Sequence, residues 1–505
     1  MEDIESQDLQ ESFSDNEIQL LNKIYIKLEK VLKKDDLEVL SDILDKAGVN
    51  TNIFKEIEEL DNNYNSTVKE EDKKEIEYEM YNGKKIEIND DYKKAFKIID
   101  KNENIFITGE AGTGKSQFLK ILKNRLRKQD KRYVVLAPTG VAALNVGGET
   151  IHSFFKFSIH NIRPHIVEKK KELFENLDCV IIDEVSMLRA DLMDYIDEAL
   201  QINKGNSTLF GGCQMIFIGD LSQLPPVTMK EELPLFTVIY KTPYFLSARC
   251  IEIQKLKMVK FSKIYRQNDT KFIEMLNQVR RGQVTYDTIN TLNTRCGYLN
   301  ENNILVTTTN KVVKNHNNKM INKLPGEEKH FKAECENISY DELDKYGIEK
   351  EIIIKNGCKI MFLNNNYEQD WVNGSLGKIT HIGNNELKAE LENGRTVTIN
   401  RVENDINSYK WDEENKEISV EKQASIIQFP IKLAYATTIH KCQGMTFDKI
   451  NLDLSFGTFA PGQLYVALSR ATSLEGITLI RPIRPKDIIL DGRIDDLIKN
   501  TCEVL

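Results

Sequence analysis

Gly109-Glu110-Ala111-Gly112-Thr113-Gly114-Lys115-Ser116 follows the apolar run Ile105-Phe106-Ile107 and precedes a helical pattern over residues 117–126. Strand, glycine-rich turn and helix in that order are what a phosphate-binding loop requires. The glycines let successive N–H groups turn toward phosphate oxygens, and the following helix offers its positive N-terminus to the same anion. In that setting Lys115 reaches the β- and γ-phosphates and the Ser116 hydroxyl ligates Mg²⁺. Gly109, Ala111, Gly112, Thr113 and Gly114 supply the cradle. A glycine-rich turn that fits by chance is the competing reading, and the flanking strand and helix argue against it.

Apolar runs at residues 105–108, 133–137, 179–183 and 215–219 alternate with helical segments between about 86 and 282. This alternation predicts a parallel sheet covered on both faces. A strand at 303–307, a helix over 311–323, and strands at 450–454 and 476–480 predict a second α/β unit. Between them, short β-like runs at 352–354, 358–363, 377–382, 387–391 and 396–399 are separated by Asn-Gly and Gly-Asn-Asn turns. These read as a small β-barrel.

Net charge is −9 over 505 residues, but it is unevenly spread. Residues 1–80 hold 23 acidic and 10 basic residues, so the rest of the chain carries a balance of +4. The acidic leader reads as a solvated appendage, or as a dock for a protein partner or a mimic of nucleic acid. Within it, residues 1–14 look disordered, amphipathic patterns occupy about 18–32 and 37–47, helical character continues near 53–60, and 61–79 reads as a linker. Eight cysteines without a CxxC pair read as reduced thiols, not a disulfide frame or zinc site. The N-terminus resembles neither a secretory signal nor a transit peptide, and no run approaches a membrane span. An intracellular protein is therefore expected, in nucleus or cytoplasm; Lys/Asn/Ile-rich usage suggests an AT-rich genome, that of a large DNA virus or a protist, which adds a viral replication compartment.

Cys179-Val180-Ile181-Ile182-Asp183-Glu184 is an apolar strand that ends in two carboxylates. Beside the phosphate loop, Asp183 can hold Mg²⁺ through water while Glu184 polarises the attacking water. Gly219-Asp220-Leu221-Ser222-Gln223-Leu224-Pro225-Pro226 also follows a buried strand. Gln223 can hydrogen-bond the γ-phosphate or its water, the alternative being a solvated Gln in a rigid turn. An Arg supplied across a cleft neutralises charge on a transferred phosphoryl group; Arg266, in Tyr265-Arg266-Gln267, and Arg470, in Leu468-Ser469-Arg470, read singly as surface residues and gain that role only from the resemblance that follows.

These motifs, with Ala137-Pro138-Thr139-Gly140, Thr150-Ile151-His152-Ser153-Phe154-Phe155, Phe210-Gly211-Gly212, Thr438-Ile439-His440-Lys441-Cys442-Gln443-Gly444 and residues 465–472, stand in a specific order. That order resembles superfamily-one DNA helicases of the RecD-like branch, and within it the petite-integration-frequency family, over about residues 86–480. The resemblance implies an α/β fold with two RecA-like domains that clamp ATP and Mg²⁺ at their interface. Lys115, Glu184, Gln223, Arg266 and Arg470 would act on the triphosphate, with Gly444 and Tyr92 at the nucleotide and Asp183 and Ser116 at the metal. Thr139, His152, Phe154 and His440 would line a single-stranded DNA path, core packing being the alternative for His152 and Phe154. Tyr92 stands where the family offers an adenine-reading Gln and could stack on or bond the base. Cys442 replaces the family's usual Ser.

The expected organisation is an acidic helical extension and linker over 1–85 and a first RecA-like domain over 86–285, with a small wedge insertion about 145–165. A second domain follows in two parts, 286–350 and 431–505, around an SH3-like barrel at 351–430. The expected activity is ATP-dependent 5′→3′ unwinding of tailed duplex DNA by a monomer, in replication, recombination, repair or telomere maintenance. A DNA-stimulated ATPase that remodels proteins, or an RNA or hybrid helicase, stays open as an alternative.

Overall fold

The computed structural model describes residues 77–505 apart from 82–83, 158–163, 229–231, 266–268, 347, 365, 367–370 and 372–373. The expected leader with its helices and most of the linker lie outside the described residues, as does Arg266.

The strand–helix alternation read from the sequence is realised in this order. β1 (Glu77–Tyr81) and β2 (Lys84–Ile88) form an antiparallel hairpin, so the linker runs into a strand. Next come α1 (Asp90–Asp100), β3 (Ile105–Gly109), α2 (Lys115–Lys128), β4 (Tyr133–Ala137), α3 (Gly140–Val146), β5 (Glu149–Thr150), α4 (Ile151–Phe154) and α5 (Lys171–Asn176). They continue with β6 (Cys179–Ile182), α6 (Ala190–Lys204), β7 (Gln214–Ile218), α7 (Leu233–Ile239), α8 (Arg249–Ile253) and β8 (Leu256–Phe261). Then follow α9 (Thr270–Arg281), α10 (Tyr286–Asn293), β9 (Ile304–Thr307), α11 (Asn310–Asn322), β10 (Lys329–Lys332) and β11 (Glu334–Glu336). The inserted strands are β12 (Glu351–Ile354), β13 (Lys359–Phe362), β14 (Leu376–Ile382), β15 (Glu386–Leu391), β16 (Thr396–Asn400), β17 (Val402–Asp412), β18 (Glu417–Gln428) and β19 (Ile431–Leu433). The chain closes with β20 (Ala436–Thr438), β21 (Ile450–Asp453), α12 (Gln463–Leu468), β22 (Ile477–Leu479), α13 (Ile494–Thr501) and β23 (Cys502–Val504).

Two parallel sheets result, in strand orders β23-β8-β3-β7-β6-β4-β5 and β20-β9-β21-β22. In the first sheet, successive side chains point to opposite faces and both faces are buried. Phe106, Val134, Val180 and Phe217 enter one core, and Ile105, Val135, Ile181 and Ile216 the other. The insertion forms a five-stranded antiparallel sheet, β16-β15-β14-β13-β19, close to the runs read from sequence. No described helix is long and apolar enough to cross a membrane.

Three features lie across the expected boundaries. α9 packs Phe272, Met275, Leu276 and Val279 into the core of the second sheet, although it precedes residue 285. α13 and β23 return to the first unit, where Leu497 and Cys502 join its core and β23 pairs with β8. The range expected to hold a wedge is partly structural, since β5 pairs with β4 and Ile151, Phe154, Phe155 and Phe157 are buried.

A long hairpin, β17–β18, was not legible as such. Tyr409 of β17 inserts into the first core, its hydroxyl accepting the Val135 N–H at 2.9 Å. The Tyr409 N–H donates to Glu149 Oε2 at 3.1 Å, and Glu149 in turn pairs with Lys170 at 3.0 Å. Both ionic side chains are almost wholly buried, and burial pulls the Lys170 ammonium down to about 8 against the pull of Glu149.

Candidate functional site

The phosphate loop connects β3 to α2 at the carboxyl edge of the first sheet, where the ends of β6 and β7 also arrive. Gly114 has φ +85, and a Cβ there would stand 2.5 Å from the Tyr92 hydroxyl, so only glycine fits. Lys115 donates to the carbonyls of Gly109 at 2.8 Å and Glu110 at 2.9 Å, which folds its ammonium over the loop. Thr113 Oγ1 donates to the Glu110 carbonyl at 2.9 Å and shapes the turn from within. Ser116 is exposed at the first turn of α2.

Asp183 and Glu184 follow β6 directly. Glu184 adopts the left-handed conformation with φ 52, a strained setting for a residue with a side chain, and its N–H donates to Asp183 Oδ1 at 2.9 Å. Burial pushes both carboxyls up; the Glu184 charge adds to this at Asp183, while Lys115 and Arg470 oppose it at Glu184. Asp220, after β7, behaves in the opposite way. Burial disfavours its ionised form, but Arg280 and Lys115 outweigh it, and Arg280 binds it at 2.9 Å.

Among the described residues, the second unit reaches into this site through Gln443, Tyr465 and Arg280, with Arg281 pairing more loosely with Glu110 at 3.9 Å. Gln443 Nε2 donates to Gln223 Oε1 at 3.1 Å and to Glu184 Oε2 at 3.3 Å. Tyr465 of α12 is buried, and its hydroxyl accepts the Ala111 N–H of the phosphate loop at 2.8 Å. Arg280 comes from α9. Gly462, at φ +70, presses on the loop that carries Gln223: a Cβ there would lie 2.3 Å from the Ser222 carbonyl oxygen. Gln443 and Tyr465 stand inside motifs the sequence displays, yet nothing local marks them as the residues that cross the cleft. Arg280 carries no motif at all.

Arg470 lies within electrostatic range of Glu184 but is fully buried. Its guanidinium donates to Val466 at 2.8 Å, Met445 at 2.9 Å and Ser469 Oγ at 2.8 Å. Gly444 is exposed in the turn after Gln443, with φ +81.

Two of the expected site residues lie in the core, which for Phe154 is the alternative reading given above. Tyr92 presents no face to a base. It is 1% exposed, packed against Phe118 and Phe261 at centroid distances of 5.1 and 4.8 Å, and its hydroxyl donates to the Gly114 carbonyl at 2.8 Å. It buttresses the loop from the core. Phe154 cannot line a DNA path, because it is fully buried against Phe155 and Phe174 with the Lys170 ammonium 4.5 Å from its ring centre.

The other three residues expected on the path are accessible in part. Thr139 caps α3 by accepting the Ala142 N–H at 3.2 Å. His152 is half-buried, edge-on to Phe157 at 6.4 Å, and burial lowers its imidazole. His440 is half-buried in the second unit, where burial likewise lowers its imidazole.

Comparison with known proteins is consistent with this geometry. The sequence pattern of the PIF1-like helicases matches residues 87–290. The ATP-dependent DNA helicase Pif1 of Bdellovibrio bacteriovorus is 33% identical over 432 residues, covering 81% of this chain and 91% of the relative. The human ATP-dependent DNA helicase PIF1 is 30% identical over 81% of this chain and 63% of its own length. Among solved structures, Bacteroides Pif1 in complex with ADP-AlF4 superposes with a TM-score of 0.74 at 34% identity, covering 82% of this chain and 96% of that one. The same bacterial protein bound to single-stranded DNA gives 0.60 at 34% identity and the same coverage. Loop, carboxylates and cross-cleft contacts agree with these likenesses, and the chain belongs to the PIF1-like helicase family.

Proposed function

We propose that the chain is an ATP-dependent DNA helicase that moves 5′→3′ along single-stranded DNA and separates the duplex ahead of it. The observation that carries this reading is the bridge made by Gln443. One side chain of the second unit is bonded both to the residue suited to activate water, Glu184, and to the residue suited to sense the γ-phosphate, Gln223. A change at the phosphate is thereby a change in what holds the two units together. That linkage is what a motor needs and what a simple phosphatase does not.

In this reading Lys115 grips the β- and γ-phosphates, and Glu184 takes the proton of the attacking water. Ser116 and Asp183 would hold Mg²⁺, a fit supported by two adjacent, partly buried carboxyls whose ionised forms lack full compensation from the protein. When bound, the ion neutralises charge on the phosphate oxygens. We assign Arg266 and Arg470 to the charge that develops on the transferred phosphoryl, Arg470 after it exchanges its carbonyl ties. Thr139, His152 and His440 are assigned to the DNA backbone. The relatives carry names of ATP-dependent DNA helicases, and solved relatives were captured with ADP-AlF4 and with single-stranded DNA.

The test is Lys115→Ala assayed on a duplex with a 5′ single-stranded tail. Unwinding is expected to disappear. Unwinding that persists, or a wild-type enzyme that needs a 3′ tail, overturns the reading.

A further inference from the structure

We propose that Glu110, the acidic residue inside the phosphate loop, is a positioning residue that limits how tightly nucleotide is held. It draws Lys260 and Arg281 to itself and opposes the charge of the triphosphate; this rests on the reading above, in which the loop binds ATP.

Glu110 stands second in the loop, and its side chain is only 11% exposed. A phosphate loop gathers N–H groups and a lysine around a negative guest. A carboxylate built into that loop has the same sign as the guest. Among the described residues, two cations pair with it, and both do so at long range. The Lys260 ammonium lies 3.7 Å from Glu110 Oε1, and the Arg281 guanidinium 3.9 Å from the same oxygen. At those separations they attract the carboxylate without hydrogen-bonding it, so they offset only part of the cost of shielding it from water.

The two cations come from opposite sides of the loop. Lys260 belongs to β8, which pairs with β3, the strand that leads into the loop. Arg281 belongs to α9, whose apolar face lies in the second core. Its neighbour Arg280 is taken up by Asp220 at 2.9 Å, which leaves Arg281 for Glu110. The Glu110 carbonyl also accepts from the Lys115 ammonium at 2.9 Å, so the like charge sits in the residue that steadies the phosphate-gripping lysine. A triphosphate held by Lys115 is then repelled by the carboxylate, while Lys260 and Arg281 are drawn toward Glu110 and away from the phosphates. Both effects lower affinity. A motor that must discharge nucleotide in every cycle benefits from such a limit, because product release often sets the turnover of well-evolved enzymes.

The test measures binding of a fluorescent, non-hydrolysable ATP analogue to the full chain, together with KM and kcat for DNA-stimulated ATP turnover. Glu110→Gln keeps the shape and removes the charge. It is expected to bind the analogue about fivefold more tightly and to lower KM without raising kcat. Arg281→Gln leaves the carboxylate less compensated and is expected to weaken binding by about the same factor. Opposite signs identify a balance of charge, since damage to the loop weakens binding in both variants. Unchanged or weaker binding in Glu110→Gln, or unchanged or tighter binding in Arg281→Gln, overturns the proposal. A wild type whose ATP turnover no strand stimulates overturns the helicase reading instead, and the binding comparison still decides the role of Glu110.

Discussion

Two junctions hold the first α/β unit against the chain that follows it, and they are built from different material. At the nucleotide cleft, Gln443, Tyr465 and Arg280 meet Glu184, Gln223, Ala111 and Asp220, which stand in the segments that follow β3, β6 and β7. At the hairpin dock, Tyr409 enters a core beside the buried Glu149–Lys170 pair. The cleft holds through polar bonds for which a nucleotide or metal can compete. The dock holds through packing and charge that no ligand needs. One junction can be remade in every cycle, whereas the other resists change.

That contrast can be broken most decisively at Glu184. Glu184→Gln preserves shape and removes the base, so ATP turnover is expected to fall about 10³-fold while fluorescent-nucleotide affinity stays within a few-fold. A loss below about tenfold would make the cleft merely structural. The converse experiment is Glu149→Ala at the dock. It strands a buried ammonium and is expected to lower stability by about 3 kcal/mol in urea unfolding, with turnover per folded molecule unchanged.

Smaller effects sharpen the same contrast. Gln443→Ala is expected to reduce kcat about tenfold at unchanged KM for ATP, the signature of a group that positions others. Tyr409→Phe leaves the Val135 N–H without its partner and is expected to cost about 1 kcal/mol, measured by the urea midpoint, without touching kcat. The pH dependence of the dock is gentler still. Lys170 titrates near 8 when folded and at its ordinary 10.5 when unfolded. Between those values the unfolded chain binds more protons, so this lysine makes stability rise with pH. Relative to Lys170→Met, wild-type stability should climb from about pH 8 to 10.5, by no more than about 1.4 kcal/mol per pH unit. A flat difference would mean that the ammonium is better compensated than its burial indicates.

How much of this was legible in the sequence depends on how local the information is. Strands β3, β4, β6 and β7 are apolar runs because parallel strands are buried on both faces, and such runs need no partner to be recognised. β17 reads as Val402-Glu-Asn-Asp-Ile-Asn-Ser-Tyr-Lys-Trp-Asp, too polar for that test, and its dock turns on a tyrosine that meets residues some 270 positions away. β23 is three residues long, too short to show any period. Helix α9 shows an apolar face, but periodicity does not say which sheet that face will meet.

The site divides in the same way. Lys115, Asp183, Glu184 and Gln223 are marked by chemical type and by the strand each one follows. Tyr92 and Phe154 stay ambiguous because an aromatic ring looks the same in sequence whether it faces a ligand or a core. Only the packing of Phe118, Phe261 and Phe174 around them decides.

The return of β23 to the edge of the first sheet has a mechanical consequence. The second unit departs from β8 and comes home beside the same strand, so it is fastened at both ends to one margin of its neighbour. A body attached at a single point can swing and twist in any direction. A body attached at two points on one margin is confined chiefly to turning about the line that joins them, as a door turns on two hinges. Here the hairpin dock at β4 and β5 holds the opposite margin of the same sheet as well, so twisting is opposed from both sides and movement at the cleft falls to the parts of the second unit that neither fastening holds.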